Sequence, residues 1–234
     1  MSFESIGLER EIIEKLDAFL NTQNFVELYS TYDWEEDTLA NGFPNIFCLE
    51  SRLKHSNQTT GISLLDVKAV AKWGLLRHQK RIEGNEIVLP NQKIDVDPSI
   101  LLATLQNNIT NGVGPTYLSK ILRFGFPQKC GAIDTKCVRI FGCGDDGSSR
   151  QHQWLVLSVR NDGYGWYIPK TRKKWPSEYS KWINILRYFT SKLGNNCPHP
   201  QRFIDSGLRK KGVWECADVE MALFSYASQQ LNSK

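Results

Sequence analysis

The chain has 234 residues, 41% of them hydrophobic and 23% charged, with a formal net charge of +4. That length suits one large domain or two small ones with a sizeable core, and the composition excludes collagen-like, low-complexity and disordered chains. No apolar run approaches the roughly 18 residues of a membrane helix, and the first residues lack a basic-then-apolar signal layout, so a cytoplasmic chain without membrane contact is expected.

Glu9, Arg10 and Glu11 lead into Ile12, Ile13, Leu16 and Phe19, which is helical spacing. A second helix is expected over about 46–53. Ser63 followed by Asp66 makes a capping box ahead of a helix over 64–76. Residues 77–96 read as a loop between subdomains. Asp97-Pro98 starts a helix that runs to about Ile109, because Asp caps and Pro tolerates the first turn. Asn111-Gly112-Val113-Gly114 breaks it, Pro115 opens another to about Phe124, and a short helix is expected over 134–141. The period then changes. Trp154, Val156 and Ser158 alternate with Leu155, Leu157 and Val159 as in a strand. Asn161-Asp162-Gly163 turns, and 164–168 returns, giving a β-hairpin over about 154–168. Pro176 opens a long amphipathic helix through Trp182, Leu186, Phe189 and Leu193, and a last helix covers about 217–231. The chain therefore reads as mostly α with one small β-hairpin.

Six cysteines stand at 48, 130, 137, 143, 197 and 216 without a CxxC pair, which suggests reduced thiols. Cys130, Cys137 and Cys143 lack a fourth ligand nearby, so they are expected as buried or free thiols rather than a metal site. Charge is uneven. Residues 120–211 hold 18 Lys and Arg against 6 Asp and Glu, while the remainder holds 11 against 19. One basic face and a polyanionic partner are one reading; solvated surface charge is the other.

One constellation carries chemistry: Leu105, then Gly112-Val113-Gly114-Pro115, Ile121-Leu122, and Ile133-Asp134-Thr135 with Arg139-Ile140. Glycine reaches positive φ cheaply and lets another backbone approach, so Gly112 and Gly114 suit a tight turn between helices. The following helix start offers N–H groups and a positive dipole end to a phosphate. A plain helical turn with a glycine cap explains the same pair of glycines. Asp134, 20 residues after Gly114, is either a helix cap or a placed carboxylate, and the two roles are compatible.

Together these residues resemble the helix-hairpin-helix Gly/Pro/Asp superfamily of DNA glycosylases, the group containing endonuclease III and 8-oxoguanine glycosylase. The likeness covers about 98–142 and is nearest in pattern to bacterial branches distant from the named repair enzymes. It implies a single unit of two helical subdomains around a cleft. One subdomain would comprise about 1–90 plus the C-terminal helices. The hairpin and catalytic aspartate would lie in about 98–142, with the β-hairpin inserted. It implies base excision: a modified base is flipped from double-stranded DNA and its glycosidic bond hydrolysed at Asp134, whose charge would stabilise an oxocarbenium-like sugar or activate water. Gly112, Val113, Gly114 and Thr116 would grip the DNA backbone, with Lys136 and Arg139 beside them. The family's monovalent cation would fall to the backbone carbonyls of Asn108, Thr110 and Val113.

The departures set further expectations. Bifunctional members carry a Schiff-base lysine where this chain has Thr116, so a monofunctional enzyme is expected. Lys120, one turn on, either reaches the sugar or is a solvated or backbone-facing lysine. Only Cys197 and Cys216 lie near the C-terminus, so no iron–sulfur cluster is expected. No other cofactor is implied, and a monomer is expected. Lys170, Arg172, Lys173 and Lys174 beside Trp175 join phosphate contact to stacking, or form a solvated loop. Arg209-Lys210-Lys211 is a second basic cluster. Trp214, Asp218 and Phe224 would line the base pocket, by likeness to the 8-oxoguanine branch. Two other functions stay open: a non-catalytic nucleic-acid binder that keeps the hairpin, and a glycosidase acting on a free nucleoside or nucleotide.

Overall fold

The computed structural model describes residues 7–93, 96–144, 152–169 and 175–233. Lys170, Arg172, Lys173 and Lys174 lie outside them.

The start signals in the sequence act as local chemistry dictates. Helix α1 (Arg10–Thr22) buries Ile12, Leu16 and Phe19. Asn24 caps α2 (Phe25–Ser30) by accepting from Glu27 N–H. A two-residue pair, β1 (Asp33–Trp34) and β2 (Asp37–Thr38), leads to α3 (Pro44–Gln58), longer than the periodicity predicts. The residue before α3, Phe43, has φ +55 and caps nothing with its side chain. Buried Asp37 caps the helix from a distance instead, accepting from Asn45 and Ile46 N–H at 2.8 and 3.2 Å. Short β3 (Ile62–Ser63) runs into α4 (Leu64–Trp73), whose Ser63–Asp66 capping box is present in both directions.

The stretch 77–96 is not a free linker. Its short strands β4 (Glu83–Gly84) and β5 (Ile87–Leu89) pair with β6 (Ile109–Asn111) and β3 respectively. Helix α5 (Pro98–Asn108) is capped by Asp97 and hands over directly to β6. Then follow α6 (Pro115–Gly125) and α7 (Thr135–Phe141). The strand expected over 154–159 does not form. Trp154, Leu155, Leu157 and Val159 are all buried, so successive residues do not alternate between core and solvent. Trp154 and Leu155 N–H instead bond the Phe141 carbonyl at the end of α7, and Val156 N–H bonds Glu178 Oε2 at 2.6 Å. The hairpin is confined to β7 (Arg160–Asn161) and β8 (Trp166–Tyr167). Helix α8 (Trp175–Lys192), short α9 (Gln201–Asp205) and α10 (Cys216–Asn232) follow, and α2 and α9 add to the helices expected from the sequence.

The chain is mostly helical, and its apolar core is continuous, running from Ile12 to Ala227. Helix α10 packs on α2, α7 and α8. No helix among the described residues is long and apolar enough to cross a membrane. All six cysteines are free thiols.

A buried ionic cluster crosses this core. Glu50 of α3 accepts from Arg123 of α6 at 2.7 Å and from Arg209 at 2.6 and 3.0 Å. Arg209 also bonds Asp218 of α10 at 3.0 Å, and Arg123 lies 3.6 Å from Glu220. Three of the cations counted toward a basic face, Lys120, Arg123 and Arg209, are thus inside the protein. Burial pushes the Glu220 carboxyl up from 4.5 to about 7, against the opposing pull of Arg123. Between those values the folded state holds a proton that the unfolded state has lost, so Glu220 removes stability as pH rises through that window. Burial lowers the His152 imidazole from 6.5 to about 4, which adds stability as pH rises across nearly the same window. Burial also pushes the Glu215 carboxyl up to about 8, which removes stability across the same window, so Glu220→Gln is expected to turn a falling profile of denaturant stability, pH 4.5 to 7, into a nearly level one. A variant profile that falls as steeply as the parent's would place the proton elsewhere.

Candidate functional site

Asp134 is both helix cap and placed carboxylate. It precedes α7 and accepts from Lys136 N–H at 3.0 Å through Oδ1. Its other oxygen, Oδ2, faces Lys120 Nζ at 3.5 Å. The strap leading to Asp134 is pinned from two sides. Ser119 of α6 accepts from Ile133 N–H and donates to the Thr116 carbonyl, while Trp182 of α8 donates to the Ala132 carbonyl. The 20-residue spacing seen in the sequence thus becomes direct contact between α6 and the start of α7.

Lys120 is not a solvated lysine; it is 5% exposed. Its ammonium lies over the rings of Trp34, Trp73 and Tyr117, at 5.0, 5.2 and 5.3 Å from their centroids. Aromatic faces and one carboxylate replace the water such a charge loses on burial. The cage is built at the end of α4. Asp37 holds Trp73 through its indole N–H at 2.8 Å, Trp34 donates to the Trp73 carbonyl, and Tyr117 donates to the Gly74 carbonyl at 2.6 Å. Burial raises the Tyr117 hydroxyl to about 12, so it stays a proton donor. The aromatics of the cage were missed in the sequence because they converge from three segments. Only Tyr117, three residues before Lys120 on α6, offered a local signal.

Asp134 and Lys120 sit in the wall of a cavity of about 440 Å³, within the usual range for small-ligand pockets. Gly114, Thr116, Lys136 and Arg139 also line it, together with Trp34, Trp166 and Tyr167. Gly112 has φ +80, and a Cβ there would stand 2.4 Å from the Arg81 carbonyl oxygen, so this position requires glycine. Gly114 is different. Its backbone is extended, and no atom lies within 4 Å of a Cβ built there. It leaves the mouth of the cavity clear rather than making the turn. Val113 is buried beneath the hairpin. Lys136 Nζ donates to Ser228 and lies over Phe224, and Arg139 lies 4.6 Å over Trp166.

The residues expected in a base pocket divide. Phe224 backs the wall through Lys136 and Trp34. Trp214 does not reach the cavity: it packs on Phe25 and Tyr29 and donates to Asn196. Asp218 does not reach it either. It is consumed by Arg209, His199 and Glu215 N–H, and these partners hold it ionised, down to about 2, despite its burial. The Asn108 carbonyl, one of three expected at a monovalent cation, accepts from Asn85 N–H at 2.9 Å. That carbonyl is therefore engaged beside the β4–β6 pair. Cys197, His199 and Asp218 have potential ligand atoms within 4.8 Å of one another and could hold a metal. The Arg209 guanidinium already fills the Asp218 side of that group, and burial holds the Cys197 thiol protonated.

Compared with protein-family models, with curated proteins and with solved structures, the chain matches none.

Proposed function

We propose that this protein is a DNA N-glycosylase, hydrolysing the glycosidic bond of a base flipped into the cavity beside Asp134. The observation that carries the reading is the pairing of Asp134 with Lys120 in an aromatic-walled cavity at the start of α6. Cleavage of an N-glycosidic bond builds positive charge on the sugar, and a fixed carboxylate in a site that excludes water lowers that barrier. Lys120 positions the carboxylate through its ion pair, and the N–H of Lys136 holds its other oxygen. Aromatic side chains at the wall suit a stacked base. Pro115 lacks an N–H and Tyr117 N–H bonds the Gly114 carbonyl, which leaves Thr116 N–H at the cavity mouth as a donor for a backbone phosphate. Cations and exposed aromatics at the rim favour a polymer over a free nucleoside. A duplex screen with different modified bases, developed with alkali, tests the proposal. Abasic sites from at least one duplex are the expected result, and none from any would overturn it.

Thr116 carries no amine, so excision is expected to leave intact abasic DNA, and borohydride is expected to trap no adduct. Lys120 is close enough to Asp134 to make this a sharp test. A trapped species that disappears in Lys120→Ala would assign Lys120 the nucleophile's role and overturn monofunctional chemistry.

A further inference from the structure

A second cavity, of about 490 Å³, lies between α3 and α4 and shares no lining residue with the first. Leu49, Ala69, Trp73 and Leu75 form its apolar part, Arg52 and Lys72 its positive part, and Glu35 faces them. Its volume falls in the range of small-ligand sites. The cations have bonding capacity to spare. Arg52 spends only Nε, on Asp66 at 2.6 Å, and its two terminal nitrogens meet no partner among the described residues. Exposed Lys72, in the last turn of α4, makes no ion pair or hydrogen bond among the described residues, and exposed Lys68 stands one turn before it. Even with Asp66 set against Arg52 and Glu35 against one lysine, positive charge is in excess, which suits an anion.

Leu75 is an independent mark of the same cavity. Helix α4 ends in the double hydrogen bond of a glycine-type terminus: Leu75 N–H bonds the Lys72 carbonyl and Leu76 N–H bonds the Ala71 carbonyl. The left-handed position of that turn ordinarily takes glycine. Here it holds leucine, at φ +60 and 54% exposed. The backbone is strained and half the side chain stands in water, so the fold gains little from it, whereas a ligand packed on it would. Glu35, at φ +54, lines the cavity too, so two of the four non-glycine residues at positive φ among the described residues meet there. Strain of this kind gathers at ligand clamps.

We propose that this cavity binds a small organic anion, its acidic group held by Arg52 and Lys72 and its apolar body packed against Trp73 and Leu75. Trp73 ties the cavity to the site described above, because its ring centroid lies 5.2 Å from Lys120 Nζ. A ligand seated here therefore bears on the cage that holds Lys120. The proposal stands whether or not the protein acts on DNA.

The test uses the whole protein and anilinonaphthalene sulfonate, an apolar anion whose emission rises when it leaves water. With the parent protein, emission is expected to rise and saturate. Lys72→Glu is expected to weaken binding about 3- to 30-fold, the effect of one exposed ion pair counted twice because the charge is reversed. Leu75→Gly is expected to weaken it about 3- to 10-fold, for the loss of part of a leucine contact. Its melting temperature is expected to hold, because glycine takes the left-handed turn without strain. A clear fall in that melting temperature would make Leu75 a structural residue and overturn the proposal. No rise in emission with the parent, or parent-like affinity in either well-folded variant, would also overturn it. Displacement of the Lys72-dependent probe by duplex DNA would assign the cavity to a nucleic-acid surface instead.

Discussion

Asp134→Asn is expected to slow single-turnover excision about 100- to 1000-fold, roughly 3–4 kcal/mol, the usual effect of removing one preorganised charge from a transition state. The measurement uses a substrate found in the duplex screen, beside thermal melting of both proteins. The amide oxygen can still accept from Lys136 N–H, so α7 keeps its cap and the fold is expected to survive. DNA affinity is expected to hold or rise slightly, since a negative charge near phosphates is gone. The variant also leaves Lys120 with three aromatic faces and no carboxylate, which makes its retained melting temperature informative. A well-folded Asp134→Asn that excises at the parent rate would reduce Asp134 to a cap and overturn its catalytic role.

Glu50→Ala is expected to be the most damaging single change to stability, costing about 3–5 kcal/mol in denaturant melts. Glu50 is the shared acceptor for two buried guanidiniums, Arg123 and Arg209, and each would lose its shortest contact. The remaining carboxylates do not replace it. Asp218 already bonds Arg209 through its other edge, and Glu220 lies 3.6 Å from Arg123. Glu50→Gln keeps one acceptor oxygen and the volume, so its loss is expected to be smaller. If Glu50→Ala melted within about 1 kcal/mol of the parent, water or local rearrangement would be satisfying both cations, and the cluster would not be what ties α3 to α6 and α10.

Some of this was legible residue by residue. Asp97-Pro98, Ser63 with Asp66, and Pro115 each mark a helix start, because capping is settled within four residues. Asp134 at a helix start was legible but its contact with Lys120 of α6 was not, and the glycine requirement at Gly112 followed from the turn. The same local reasoning failed at 154–159. Alternation there was read as one buried face, whereas the segment is covered on both sides by α7 and α8 and finds its hydrogen-bond partners at their ends.

What the sequence by itself determined is the mostly helical class, the helix starts, and the presence of Asp134 at the head of a short helix. What only the tertiary structure decided is which charges are buried and which aromatics meet. Lys120 could be read as solvated, yet it is sealed against Trp34, Trp73 and Tyr117; Arg209 could be read as basic surface, yet it lies in the core. Trp214 and Asp218 were read toward a base pocket and instead stabilise the interior. The physical reason is range. Caps and turns depend on neighbours within about a helical turn, whereas burying a charge depends on partners from distant segments: residues 34, 73 and 134 for Lys120, and residues 50 and 218 for Arg209.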